Sequence, residues 1–175
     1  TYMLCDLDPS SVADLTRSAR ELDLADLVRA ERVDGIAAIR TEAERFAPES
    51  AAGTFVLIDP FDEEERTADG MDSLDLFGWL AARGFPVALW RGYDEVAARD
   101  DGRSRCVVEG VATHAFELET AFLHGDSPLH PGVGGCSMIL ANIGDEHLDH
   151  VERLGRQLEA LYDEVLERLG LPCRV

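Results

Sequence analysis

An α/β fold is what this sequence predicts: a mostly parallel sheet with helices on both faces and an antiparallel edge. Three observations lead there. Short β-rich apolar runs alternate with segments whose apolar residues recur at helical spacing. The early runs each stop at an aspartate, namely Asp6, Asp34 and Asp59. Late in the chain the alternation gives way to strands with no helix between them, which sets antiparallel pairing at one edge.

The elements follow in order. Tyr2 to Leu7 is a short apolar run and reads as a strand. Asp8-Pro9-Ser10-Ser11 turns the chain, and Ser11 with Asp14 approximates a capping box. A helix runs to about Leu24, with Val12, Leu15, Ala19 and Leu22 on one face. Leu27 to Val33 is a second strand, stopped by Asp34-Gly35. Ile36, Ile39, Ala43 and Phe46 recur at helical spacing, and Pro48 to Gly53 reads as a loop. Thr54 to Ile58 is a continuous β-rich run, the pattern of a strand buried on both faces.

Asp59-Pro60 ends that strand, and the acidic stretch Asp62 to Asp72 reads as a solvated loop. Leu74, Phe77, Leu80 and Ala81 mark a helix that Gly84 closes. Phe85 to Trp90 is a fourth strand, and Arg91 to Ser104 is polar and irregular. Arg105 to Thr120 alternates as one or two strands, and Cys136 to Ala141 is the last. In the final helix, Leu148, Val151, Leu154, Leu158, Leu161, Val165 and Leu169 form one stripe. Asp145 and Glu146 suit its positive end, and Gly170 and Pro172 stop it.

Length and composition bound the function. The 175 residues fit a single domain, 1–175, with a core of its own. Acids number 35 against 16 bases, a net charge of −19, and every base is an arginine. That balance disfavours RNA as a partner, because a phosphate backbone is held by clustered cations, and it argues against an anionic membrane surface. The longest apolar runs are far shorter than a bilayer span. Cys5, Cys106, Cys136 and Cys173 lie far apart and read as reduced thiols, so a cytoplasmic location is expected. The chain opens at Thr1-Tyr2-Met3-Leu4-Cys5 in what looks like a strand interior, so further sequence upstream is expected.

Ligands of such sheets bind beyond the carboxyl ends of the strands, which makes the strand-end acids the candidates. Asp6 or Asp8 is suited to accept both ribose hydroxyls of a nucleoside cofactor, and Asp34 to hold an adenine amino group. At Asp59-Pro60 a carboxylate and rigid carbonyls suit an amino group as donor. Taken alone, Asp6 reads better as a turn or cap residue and Asp34 as a strand-end turn, while Asp59 also reads as a helix-entry turn; the three together say more than any one. His147 and His150 stand at i, i+3 beside Asp145, Glu146 and Asp149, but no third ligand is specified and no metal is expected. His124 and His130 lie in a Gly/Pro loop without a clear partner. No G-x-S-x-G, P-loop or G-x-G-x-x-G is present.

Laid out this way, the chain resembles the bacterial large-subunit ribosomal RNA adenine-N6 methyltransferase family known as RlmJ. Leu4-Cys5-Asp6-Leu7-Asp8-Pro9-Ser10 resembles that family's strand with an acid, a leucine and a Pro-Ser turn. Arg32-Val33-Asp34-Gly35 is similar to its Ala-Asp-Gly segment. Gly53-Thr54-Phe55-Val56-Leu57-Ile58-Asp59-Pro60 is similar to the Gly-x-x-Leu-Ile-Asp-Pro that opens its catalytic tetrapeptide. Val87-Ala88-Leu89-Trp90, Phe116-Glu117-Leu118 and Gly135-Cys136-Ser137-Met138-Ile139-Leu140-Ala141-Asn142 fall in order like its later strands.

The resemblance implies a Rossmann-like fold that uses S-adenosylmethionine. It covers nearly all of this chain and only the latter part of the family's sequence. It implies cofactor binding by Asp6, Asp34 and Gly35, and catalysis by Asp59, Pro60 and Phe61 on a flipped-out adenine. Two motifs depart from the family pattern. Asp-Pro-Pro-Tyr reads Asp59-Pro60-Phe61-Asp62, and Asn-Pro-Pro-Trp reads Asn142-Ile143-Gly144-Asp145. The family's first strand and cofactor glycine loop have no counterpart here. That strand is central in the family, so a gap in the sheet is expected. The alternative expectation is a catalytically degenerate relative that works through a protein partner or as a homodimer.

Overall fold

A computed structural model describes residues 1–60, 62, 66–68, 70–93, 109–110, 115–121 and 135–168. Its first unit is β1 (Tyr2–Asp6), α1 (Pro9–Glu21) and β2 (Val28–Arg32). After it come α2 (Gly35–Ala43), the short α3 (Pro48–Ala51), β3 (Val56–Ile58), α4 (Ser73–Ala82) and β4 (Val87–Tyr93). The remaining elements are β5 (Ala115–Ala121), β6 (Gly135–Ala141) and the long α5 (Asp145–Arg168).

The strands form two sheets among the described residues. One is the parallel pair β1-β2, in register from Tyr2↔Val28 to Asp6↔Arg32. The other has the order β3-β4-β6-β5. There β3 and β4 are parallel, and β6 runs antiparallel to both β4 and β5. Parallel pairs and an antiparallel edge are therefore present, in two separate sheets and not in one.

The core belongs to the second sheet. Phe77, Phe85, Leu76, Leu80, Leu89, Ile139 and Val87 are fully buried. Alternation explains the set: Val87 and Leu89 pair with Ala141 and Ile139 on the face that α4 covers. α2 bridges the sheets, because it packs on β1 and on α4. Its Ile36, Ile39 and Ala43 join the same cluster as Ile58 of β3. Phe46 adds an edge-on contact with Phe85, with ring centroids 6.0 Å apart.

Several local expectations change. The N-cap of α1 is Asp8, with Pro9 in the first turn, and not Ser11. An acid accepts N–H groups more strongly than a hydroxyl does, and Pro9 needs no donor partner. Pro48–Ala51 is a helical turn where a loop is expected. β4 continues through Arg91 to Tyr93, past the expected end at Trp90, because Arg91 pairs with Ser137 within the ladder. β3 is not buried on both faces. Ile58 is buried, but Phe55 is 58% and Leu57 53% exposed. β3 stands at an open edge, and the expectation assumed a central strand.

The acidic stretch is also more than solvent-facing. Asp72 is fully buried and caps α4 reciprocally with Asp75. Arg66 Nη2 lies 2.9 Å from Asp72 Oδ2, an ion pair without hydrogen-bond alignment. Thr67 closes the turn by bonding Met71 through both its N–H and its hydroxyl. No helix among the described residues is long and apolar enough to cross a membrane.

Candidate functional site

The carboxyl ends of β1 and β2 meet the starts of α1 and α2, and three of the sequence candidates converge there. Asp6 is the last residue of β1 and pairs with Arg32 at the end of β2. Its Oδ1 accepts the Asp8 N–H at 2.8 Å, so the carboxylate shapes the turn into α1. Asp8 then accepts the Ser10 N–H at 3.0 Å and the hydroxyls of Ser10 and Ser11. The Ser10 bonds, more than any other contact, hold the Asp8 carboxyl below its usual value. Arg32 Nε donates to the Leu7 carbonyl at 3.1 Å and ties the two strand ends together.

Asp34 opens α2. Its Oδ1 accepts the Ile36 N–H at 2.9 Å and the Ala37 N–H at 3.2 Å. This is an N-cap, as an aspartate before a helix most often is. Gly35 lies against β1: a Cβ there would sit 3.5 Å from Cys5 Cβ, one residue before Asp6. Asp6, Asp34 and Gly35 are thereby brought to one end of the first sheet. Both carboxylates are half-buried, and both use only Oδ1 locally. Among the described residues Oδ2 of each has no partner, so each keeps an acceptor for a hydroxyl or amino group.

Beside this end lies an ion network. Arg29 of β2 meets Glu31 at 2.9 Å and Glu42 of α2 at 3.0 Å, and Arg45 also reaches Glu42. The Arg29 bond lowers the Glu42 carboxyl, and Glu42 raises the guanidinium in turn. Burial, then the nearby Glu31 charge, pushes the Cys5 thiol up.

Asp59 follows β3 in the second sheet. It is exposed and accepts no hydrogen bond from a described residue. Pro60 after it is half-buried, and Phe61 lies outside the described residues. His124 and His130 also lie outside them. His150 Nδ1 takes a bond from Arg153, and His147 stands 3.7 Å from Glu146. No three His, Cys, Asp or Glu side chains come together as a metal site among the described residues.

One structural role escaped the sequence reading, that of Asn142. Asn142 has a positive φ of 56° just past β6. Its Nδ2 donates to the Ala81 carbonyl at 2.8 Å and the Phe85 carbonyl at 3.0 Å. It thus fastens the end of β6 to the turn between α4 and β4. An asparagine after an apolar strand is a left-handed-turn signal, and that was the available clue.

No protein-family model matches the sequence, and no curated protein matches it significantly. Solved structures do match the fold. A Legionella pneumophila protein of the DUF519 family superposes with a TM-score of 0.58 at 16% identity, over 89% of this chain and 54% of that one. A Clostridium thermocellum protein provisionally assigned as an rRNA methylase gives 0.51 at 12% identity, over 81% of this chain and 72% of that one.

The chain shares their fold. It spans about half the length of the Legionella structure.

Proposed function

We propose that the protein is an S-adenosylmethionine-dependent methyltransferase whose acceptor is an amino group, N6 of adenine in RNA. The observation that carries the reading is the convergence of Asp6 and Asp34 at one strand end, each with a carboxylate oxygen to spare. The likeness of fold to an assigned rRNA methylase supports it. Asp6 would take the ribose hydroxyls, Asp34 the adenine amino group, and Gly35 would let the cofactor pass close to α2. When bound, the cofactor supplies an electrophilic methyl on a sulfonium.

Asp59 and the Pro60 carbonyl accept hydrogen bonds from the acceptor amine. With a cofactor bound, that would orient the amine for attack and would lower the barrier by positioning. The proton released on N-methylation leaves to solvent through the exposed Asp59. Phe61 stands one position early for the family's stacking ring, while Asp62 and Asp145 stand where aromatics would. Stacking is worth ~1–3 kcal/mol per base, so the grip on adenine is weaker than in that family. The net charge of −19 points the same way.

The test is transfer of labelled methyl from S-adenosylmethionine to total RNA by the intact natural protein. Label in N6-methyladenine, lost in Asp59→Asn, supports the reading. Absence of label in any nucleoside goes against it.

The second reading, a non-catalytic relative acting through a protein partner or homodimer, is favoured by one observation. Leu154, Leu158 and Leu161 of α5 are exposed, so the middle of the expected apolar stripe stands open, while Leu148, Val151 and Val165 of the same stripe are half-buried. Under that reading the protein purifies with a partner or as a dimer, and a monomer that methylates RNA contradicts it.

A further inference from the structure

We propose that the space between α1 and β2 binds a short aliphatic carboxylate. The acid group meets Arg20 and the Ala30 amide, and the aliphatic body lies against small side chains. The inference does not depend on the methyltransferase reading, because none of Asp6, Asp34 and Asp59 lines this space.

Small residues open the space. α1 packs on β2, and the surfaces that meet there carry Ala19 of α1, Ala25 of the turn, and Val28 and Ala30 of β2. Alanines do not fill the gap between a helix and a strand, and a cavity of about 280 Å³ is left. The turn that carries Ala25 is fixed by main-chain bonds. The Leu24 N–H meets the Ala19 carbonyl at 2.7 Å, and the Leu24 carbonyl accepts the N–H groups of Leu27 and Val28. A preformed space of this size suits a small ligand, since sites for larger ones begin at about 300 Å³.

Arg20 supplies the charge. Two other polar side chains at the cavity are already engaged: Arg29 by Glu31 and Glu42, and the Thr16 hydroxyl by the Val12 carbonyl. Arg20 differs. Among the described residues it is the arginine whose guanidinium meets no acid, carbonyl or ring. That is unexpected in a chain with 35 acids and 16 bases, where carboxylates are in excess.

The backbone of β2 supplies a second donor. The Tyr2 N–H bonds the Leu27 carbonyl, so Leu27, Arg29 and Glu31 direct their main-chain groups at β1, and Ala30 between them directs its own away. No described strand pairs on that side. Arg29 reaches Glu42 of α2, which puts the Ala30 side chain on the opposite face, the one α1 covers. The Ala30 N–H is thus a donor at the wall that Arg20 also lines. A guanidinium and an N–H together suit one carboxylate. A doubly charged phosphate suits them poorly, because one guanidinium does not offset two charges in a protein of net charge −19. An aliphatic chain on the acid covers the alanines and Val28, which water otherwise wets.

Titration of isovalerate into the intact natural protein, followed by nuclear magnetic resonance, tests the site. The expected result is a saturable shift of the Ala30 amide and the Arg20 Nε–H signals. Isovaleramide, of the same shape without the charge, leaves both in place. Arg20 is exposed, so Arg20→Gln keeps the fold, and it weakens binding by about tenfold or more. Arg17→Gln, an exposed arginine of the same helix outside the cavity, keeps the affinity. The proposal is overturned if isovalerate gives no saturable shift, or if isovaleramide shifts the same signals equally. It is also overturned if Arg20→Gln binds as tightly as the natural protein, or if both variants weaken binding alike.

Discussion

The two halves of the molecule use similar strands to different ends. Around α4, β3, β4 and β6 every large, fully buried side chain of the described residues is found, from Phe77 and Phe85 to Ile139. Around β1, α1 and β2 the only buried apolar residue is Ala19, and every residue of both strands keeps some exposure. The packed half carries β3, which leads into Asp59. The open half holds the carboxylates proposed to meet the cofactor. Burial is concentrated in the half proposed to meet the acceptor, and exposure in the half proposed to meet the cofactor.

Substitutions can break or sharpen that contrast. Phe77→Ala, in the packed half, is expected to cost about 3–5 kcal/mol in denaturant unfolding, the usual range for a buried ring. Leu4→Ala, in the half-buried β1, is expected to cost about 1 kcal/mol. Equal losses would erase the distinction between the halves.

Asp72→Ala removes both a reciprocal cap and the partner of Arg66. The expected cost is about 2–3 kcal/mol, with loss of α4 protection in amide exchange. Asp34→Ala removes only the cap of α2 and is expected to cost about 1 kcal/mol. Should the two prove equal, burial of Asp72 would not be what distinguishes them.

The smallest effect is a pH dependence at Asp8. Its folded pKa is lowered, first by the bonds from Ser10. Its contribution to stability is therefore complete above the ordinary carboxylate range and is lost as pH falls through the lowered value. Asp8→Asn should be less stable than the natural protein at neutral pH and converge with it once the pH falls below the lowered value. A difference that persists in acid would assign the effect to packing and not to charge.

Much of the architecture could be read from periodicity. The strand–helix alternation, the antiparallel edge and the long final helix follow from spacing alone, because patterning is local. That the described strands fall into two sheets was not legible, since no local signal states which strands are neighbours. Burial was read less well. The run Phe55 to Ile58 looked central because its residues are uniformly apolar, yet Leu57 faces outward at an edge. Asp72 looked solvated because it ends an acidic run, yet the capping requirement of α4 draws it inside. At the candidate site, Asp6, Asp34 and Gly35 were legible as strand-end residues, and the structure gathers them. Asp34 also serves as the N-cap of α2, where the simpler reading expected a strand-end turn. Asn142 was missed because its role depends on two carbonyls about sixty residues away in sequence.

Calorimetric titration of S-adenosylmethionine into the intact natural protein addresses the proposed function most directly. Saturable heat at one site per chain is predicted, weakened by about tenfold or more in Asp6→Asn while the thermal midpoint of the free protein stays unchanged. No heat, or equal affinity in Asp6→Asn, would contradict the assignment of a cofactor to the ends of β1 and β2.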